Sequence, residues 1–468
     1  MNEIEIKTLI DPPAADAEYI REVAETKRAL ELWTMDAAFK KFFEENPAAA
    51  LAENNLHVDA QAVKILVDAA EAQKYSDTPE KLPREVLRYR AFIREKELGR
   101  DVITSELCVP TDENFKAWRR RQLNRCWVEL GQHNKKIIHA PLTFELDLGC
   151  SVGCPFCGIA APKLQKICRY DAETQILWRG ILNFVREKIG TAAGAGTCYY
   201  ATEPLDNPDY EKFSDDFFEV FGIVPQITTA AAMRNPARIK NFLETSLKKY
   251  RRIHRFSILK LETLKKVMEY FTPEELLCVE LLPQFPEAPA NRYVSAGRAR
   301  EINPDDDGDT IACISGFVVN MAEKSMRLIT PCSASTKYPT GEQIIAREKF
   351  TDLDDFKKVF SGMIQRCMQK DFPKTQPLYL RGGISFEEVD GGIEFFVPGK
   401  LRLKFHGKDD LKPEIYHEVL RKLSAGGKSA REIAGELLDE KDISPAYVFF
   451  ILRKFELAGL FLEPYEVA

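Results

Sequence analysis

The sequence predicts an α/β protein: a partial (β/α)6 TIM-type barrel with a helical region before it and a winged-helix domain after it. Three observations carry that class. Apolar residues recur at helical spacing up to about residue 135, strand-like and helix-like runs alternate from Pro141 to about Met321, and three short strands precede three helices beyond residue 381. The expected divisions are 1–135 (helical), 136–321 (barrel), 322–380 (hairpin and linker) and 381–468 (winged helix).

In the first region Tyr19, Ile20, Val23, Leu30 and Trp33 trace one helix. Phe39, Phe42 and Phe43 trace a second, ended by Asn46-Pro47, and Val63, Ile65, Leu66 and Val67 another. Pro83 opens a helix containing Val86, Leu87 and Ile93. Lys116, Arg119, Arg120, Arg121 and Arg125 read as a solvated helix face.

The barrel begins where Leu142, Phe144, Leu146 and Leu148 alternate with Thr143, Glu145 and Asp147, the period of a half-buried strand. A helix follows through Ile176, Leu177, Ile181, Leu182 and Val185. The second position falls to Gly196–Leu205, the third to fifth strands are expected at Val224–Thr229, Arg255–Leu259 and Cys278–Leu282, and a sixth from Ile311 to Phe317. Such barrels keep their chemistry at the C-terminal ends of the strands, where every motif below is expected. Asp305–Asp309 lacks the ligand spacing of a calcium loop and reads as a solvated turn.

The totals set bounds. A chain of 468 residues can hold two or three domains with substantial cores, and 45% apolar content is that of a globular protein. A net charge of −6 disfavours nucleic acid as a partner. No apolar run approaches the roughly 20 residues of a membrane span, and Met1–Ile10 holds no signal-length apolar stretch. Eleven cysteines without a secretory signal read as reduced, which implies the cytoplasm.

Three of those cysteines share one loop. Gly149-Cys150-Ser151-Val152-Gly153-Cys154-Pro155-Phe156-Cys157-Gly158 follows the first strand directly, with glycines that let the backbone wrap and a proline that stiffens the last turn. Three thiolates at this spacing can hold three irons of a cubane cluster and leave the fourth iron open. The alternatives are structural zinc, for which Cys168 is the one candidate fourth ligand, and plain buried thiols.

Cys150-x-x-x-Cys154-Pro155-Phe156-Cys157 after a strand resembles the signature of the radical S-adenosylmethionine (SAM) superfamily. The resemblance implies a 4Fe-4S cluster on Cys150, Cys154 and Cys157, an open iron that chelates SAM, and reductive cleavage to a 5′-deoxyadenosyl radical. It also places Phe156 beside the cofactor. Ala201-Thr202-Glu203-Pro204 stands where that family carries Gly-Gly-Glu-Pro, which implies Glu203 as acceptor for the SAM ammonium although both glycines are replaced. Thr228-Thr229 and Ser257 resemble strand-end hydroxyls that contact SAM; ordinary strand-capping hydroxyls are the alternative.

Gly316–Met321 and Ser325–Thr330 read as a hairpin leading into Pro331-Cys332. This resembles the opening of the auxiliary-cluster domain of peptide-modifying radical SAM enzymes, in degenerate form, because only Cys367 lies further along. Cys332 therefore reads as a free thiol. The whole arrangement resembles the radical SAM epimerases of ribosomally made peptides, the proteusin-type, leader-dependent group. In that reading the deoxyadenosyl radical takes a Cα hydrogen and Cys332 returns one to the other face, turning an L- into a D-residue. A structural thiol is the alternative, with Cys313, Cys198 and Cys126 as reserve donors.

Beyond residue 381, Ile384–Val389, Gly392–Val397 and Leu401–Phe405 read as strands joined by Asp390-Gly391 and Pro398-Gly399 turns. Three helices follow, the second opened by a Ser429-x-x-Glu432 capping box and the third by Ser444-Pro445. From Lys408 to Ala468 nine Lys or Arg stand against twelve Asp or Glu, a net of −3, so duplex DNA is not expected. The module resembles the element that binds the leader of a precursor peptide by strand addition, with Arg402, Lys404, Arg453 and Lys454 available to an acidic leader. The expected partners are that precursor and a small-protein or chemical electron donor, with no DNA and no membrane. Two other functions are a radical SAM maturase that crosslinks a peptide and a non-catalytic iron–sulfur regulator.

Overall fold

The computed structural model describes residues 4–10, 12–290, 293–302, 310–371, 374–397, 402–406 and 412–467. The Asp305–Asp309 turn, the Pro398-Gly399 turn and Leu401 lie outside these. No helix among the described residues is long and apolar enough to cross a membrane.

The chain opens with helices α1 (Ala17–Met35), α2 (Ala37–Glu45), α3 (Pro47–Glu53), α4 (Ala60–Val67), α5 (Ala69–Gln73), α6 (Arg84–Val102) and α7 (Glu113–Leu130). Their boundaries follow local chemistry. The carboxylates of Asp16, Asp36 and Asp112 accept first-turn N–H groups of α1, α2 and α7, and Asn46 with Pro47 ends α2 and starts α3.

Strands β1 (Ala140–Glu145) and β2 (Asp147–Leu148) follow, then β3 (Lys166–Ile167) and helix α8 (Ala172–Ile189). After α9 (Tyr210–Phe221) come β4 (Thr228–Thr229), α10 (Pro236–Lys249), β5 (His254–Ile258), α11 (Leu261–Tyr270) and β6 (Val279–Pro283). β4, β5 and β6 are parallel, in the register Thr229↔Phe256 and Ser257↔Leu282. The segment at Thr197 joins them to β1: Thr197 bridges Gln226, and the Phe144 N–H donates to the Thr197 carbonyl at 2.9 Å. Glycine is needed beside it, since a Cβ on Gly196 would lie 1.7 Å from the Leu142 carbonyl oxygen.

On its other side β1 pairs in parallel with β7 (Ile314–Asn320), which continues antiparallel into β8 (Ser325–Pro331) and β9 (Glu342–Lys349). The expected sixth barrel strand and the first hairpin strand are thus one strand, β7, seated beside β1 rather than β6. Among the described residues no pairing joins β6 to β7, and no barrel closes.

Leu142, Phe144 and Leu146 pack with Trp178, Ile181 and Val185 of α8 and with Phe317, and Phe360 of α12 (Leu353–Cys367) joins the same core. The Phe144 and Trp178 rings meet edge to face at 4.7 Å, a contact of about 0.5–1.5 kcal/mol beyond burial alone. α1 closes the edge at β6: the buried Lys27 ammonium donates to the Leu276 and Val279 carbonyls at 3.0 and 2.7 Å. Arg28 donates to the Met268 and Phe271 carbonyls at the end of α11.

Three of the four arginines of α7 correct the solvated face expected from sequence, while Lys116 and Arg120 are exposed as expected. Arg119, Arg121 and Arg125 are buried, at 4, 1 and 1% exposure. Arg119 donates to the His139 carbonyl, Arg121 pairs with Glu463, and Arg125 donates to the Thr330 hydroxyl and Pro331 carbonyl. The helix lies between the sheet and the C-terminal elements, and each guanidinium stays charged because oxygens surround it.

Those elements begin with β10 (Pro377–Leu378) and the antiparallel sheet β11 (Ser385–Val389), β12 (Gly392–Phe396) and β13 (Arg402–His406). Then come α13 (Pro413–Ser424), β14 (Lys428–Ser429), α14 (Ala430–Lys441) and α15 (Pro445–Leu457). The Ser429–Glu432 capping box is formed, whereas the Ser444 side chain caps nothing. Ile393, Phe395, Tyr416, Leu420, Ile433 and Phe455 form a core separate from the first, which Val128 of α7 joins. The molecule is mixed α/β with several sheets.

Candidate functional site

The loop after β2 is built by backbone pairing at its base. β2 pairs with β3, Gln165 N–H donates to the Leu148 carbonyl, and Cys150 N–H donates to the Pro162 carbonyl at 2.9 Å. Gly149 has φ +87°, and a Cβ there would lie 2.2 Å from the Lys163 carbonyl oxygen. Within the loop, Cys157 N–H donates to the Cys154 carbonyl at 3.3 Å.

Cys150, Cys154 and Cys157 are half-buried free thiols. Val152 N–H points at the Cys150 sulfur at 3.4 Å and Ala161 N–H at the Cys157 sulfur at 3.5 Å. Burial, and then Cys157 and Cys150 themselves, push the Cys154 thiol up to about 11. Burial also raises Cys150, with Glu203 and Asp206 adding to it. Among the described residues no group of three or more His, Cys, Asp or Glu side chains is gathered as a metal cage. Three sulfurs on one loop, with amide N–H groups aimed at two of them, are donors of the type that a thiolate-bound metal or cluster takes, and the Val152 N–H acts against the upward shift of Cys150 from burial. Cys168 does not join them: it lies in the main apolar core with Leu146 and Trp178.

The Phe156 ring stacks on Tyr293 at 5.1 Å. Glu203 and Thr229 meet directly. The Glu203 carboxylate is buried and accepts from the Thr229 hydroxyl at 2.6 Å, Ala230 N–H at 2.9 Å and Leu205 N–H at 3.2 Å. Burial raises its pKa and these hydrogen bonds lower it. Among the described residues Glu203 has no cationic partner. Neither Ala201 nor Thr202 has positive φ, so this loop takes its course without glycine. Ser257 is half-buried, one residue along β5 from Phe256, the register partner of Thr229. Thr228 bonds instead to the Tyr199 hydroxyl at 2.6 Å.

Several residues that the sequence reading passed over hold these parts together. Asp206, three residues after Glu203, accepts from Ser151 N–H at 2.8 Å and so latches the cysteine loop to the Glu203 loop. Glu145 accepts from Ala201 N–H and forms a bidentate pair with Arg327. Arg298 donates to the Cys154 and Ala161 carbonyls at 2.9 and 2.8 Å. Nearness to Glu203 was a usable signal for Asp206; nothing local marks Arg298.

Cys332 departs from the expected placement at a C-terminal strand end of the barrel. It follows β8, which runs antiparallel, so register puts it level with the start of β1 and β7. The distal half of the cysteine loop folds back toward that end: Ile159 packs on the cluster of Ala140, Ile314 and Ile329, and Gly158 abuts Ile311. Cys332 is 5% exposed, and burial pushes its thiol up to about 12. The reserve thiols Cys126 and Cys198 are buried and Cys313 is half-buried. The Cys126 sulfur lies 3.3 Å from the Pro331 carbonyl.

In the C-terminal elements the four basic side chains already have partners. Arg402 pairs with Glu387 and Glu394, Lys404 with Glu394, and Arg453 with Asp371 and Glu456, while Lys454 donates to the Tyr416 hydroxyl.

Fold and site together define a mixed α/β protein with a three-cysteine loop latched to a buried carboxylate. Over 313 residues the chain is 35% identical to an uncharacterized protein, y4wI, of Sinorhizobium fredii. That match covers 64% of this chain, and the chain spans 60% of the length of that relative. No protein-family model and no solved structure matches the chain.

Proposed function

We propose that this protein is a radical SAM epimerase that converts L- to D-residues in a ribosomally made precursor peptide, on a partial (β/α)6 barrel followed by a winged-helix module. The observation that carries the reading is the Asp206 latch, which ties the three-cysteine loop to the loop of the buried Glu203 carboxylate; among the described residues that carboxylate has hydrogen bonds but no cation. Cys150, Cys154 and Cys157 would hold a 4Fe-4S cluster. With SAM bound, the reduced cluster would supply the electron that splits SAM into methionine and the 5′-deoxyadenosyl radical, which takes a peptide Cα hydrogen.

The chain's own residues bind, orient and return. Glu203, fixed by Thr229, offers its carboxylate to the SAM ammonium, a charge-assisted contact in a site that excludes water. Phe156 and Ser257 would complete the contacts to SAM. Cys332 keeps its S–H because burial disfavours the thiolate, and that S–H breaks as the new Cα–H bond forms; the thiyl radical left on Cys332 then takes one electron from the reductant and one proton to restore the thiol. The precursor leader adds as a strand at the β13 edge; since Arg402 and Lys404 are already paired, backbone pairing supplies the affinity there. The net charge of −3 over Lys408–Ala468 argues against duplex DNA. The reductant is a small protein or a chemical donor, in the cytoplasm.

The test is anaerobic purification followed by SAM and dithionite. Release of 5′-deoxyadenosine is expected. Co-expression with the peptide encoded beside the gene in heavy water should then add one deuterium per inverted residue. Bound zinc in place of iron, or iron whose spectrum ignores SAM, overturns the reading.

A further inference from the structure

Two loops that the proposed chemistry needs in register come from distant parts of the chain, and one dipeptide touches both. Gly297 N–H donates to the Pro339 carbonyl at 2.7 Å, in the loop that follows Cys332. That loop is closed on itself, because Cys332 N–H donates to the Gly341 carbonyl at 3.0 Å. The next residue turns the other way. Arg298 N–H donates to the Cys157 carbonyl at 3.0 Å, and its guanidinium grips the Cys154 and Ala161 carbonyls. Gly297 has φ +56°, and a Cβ there would lie 2.4 and 2.5 Å from the Gly158 and Cys157 carbonyl oxygens. The close approach therefore requires glycine both sterically and conformationally.

We infer that Gly297 and Arg298 are positioning residues that set the cysteine loop and the Cys332 loop at a fixed separation. The inference rests on the radical reading for its purpose, since hydrogen removal and hydrogen return must reach one Cα from two sides. Its structural content stands without that reading. Four hydrogen bonds converge on the dipeptide, namely Gly297 N–H to Pro339, Arg298 N–H to Cys157 and the two guanidinium bonds, while the Cys332 N–H to Gly341 bond closes the loop that carries Pro339. Losing the guanidinium loosens one loop directly and the other through Gly297.

Amide hydrogen exchange on the full chain without cofactor tests this, with β5 as internal reference. Arg298→Gln is expected to speed exchange over 154–161 and 332–341 together, and Arg298→Lys to restore part of the protection. If Arg298→Gln also raises exchange across β5, Arg298→Lys is scored in its place. Faster exchange in 154–161 alone, or in neither segment, overturns the bridge. In the reconstituted enzyme with the co-expressed peptide, the bridge predicts that D-residues formed per 5′-deoxyadenosine fall roughly 10- to 100-fold in Arg298→Gln, the cost of about 1 Å of misplacement. An unchanged ratio, or loss of iron and 5′-deoxyadenosine together, assigns Arg298 to the cluster loop alone and also overturns it. A wild-type chain that releases no 5′-deoxyadenosine refutes the radical reaction, and the exchange result still decides the bridge.

Discussion

The Thr229 hydroxyl donates to the Glu203 carboxylate at 2.6 Å, joining the end of β4 to the loop that begins at Thr197. With the Ala230 and Leu205 N–H groups it leaves the carboxylate oriented and, among the described residues, without a cation. A cationic ligand that meets it gains a charge-assisted bond, worth about 1.5–3 kcal/mol.

Glu203→Gln is accordingly expected to weaken SAM binding by roughly 10- to 100-fold, from that same range. Thr229→Val, which frees the carboxylate to turn, should weaken it less. Calorimetry on the reconstituted protein reads both, and unchanged affinity in Glu203→Gln removes this residue from the site.

Cys154→Ala should abolish iron retention after anaerobic reconstitution, because two thiolates cannot hold a cubane against chelation. Cys168→Ala should retain iron, since Cys168 lies in the apolar core. Iron and sulfide assays distinguish the two, and iron lost equally from both would restore the four-ligand alternative.

Cys332→Ala is expected to keep releasing 5′-deoxyadenosine while forming no D-residues, measured by chiral amino-acid analysis. If the variant still epimerises, the thiol that returns hydrogen is another, and Cys313, Cys198 or Cys126 takes its place.

Glu463→Gln leaves the Arg121 guanidinium buried without its bidentate partner, 2.8 Å away in the native protein. Breaking such a pair costs about 3–5 kcal/mol; Glu456 and the Gln369 carbonyl keep this one near the lower end. A lower urea midpoint at unchanged slope is the expected result, and an unmoved midpoint contradicts it.

Asp147 gives a pH dependence of definite sign. Burial holds its carboxyl at about 7, although Asn207 donates to it at 2.8 Å. Its folded pKa is above the unfolded value of about 3.9, so the folded state binds the extra proton. Stability from this group is complete below about pH 4, falls as pH rises to about 7, and is level beyond that. Asp147→Asn should remove that slope from urea midpoints measured between pH 4.5 and 7.5, about the interval between the two pKa values. An identical slope in the variant sinks the assignment.

The sequence alone determined the local features: the helix break at Asn46-Pro47, the Ser429 capping box, and the three-cysteine loop after β2. These depend on residues a few positions apart, where turn chemistry and periodicity act directly. Which strand β7 would pair with, and that Arg121 and Arg125 would be buried, only the tertiary structure decided. Helical spacing puts those two arginines on one face but does not say what covers it. Strand pairing and the desolvation of a charge depend on partners tens to hundreds of residues away, such as Glu463 for Arg121, and the same distance hid Arg298 from any local reading.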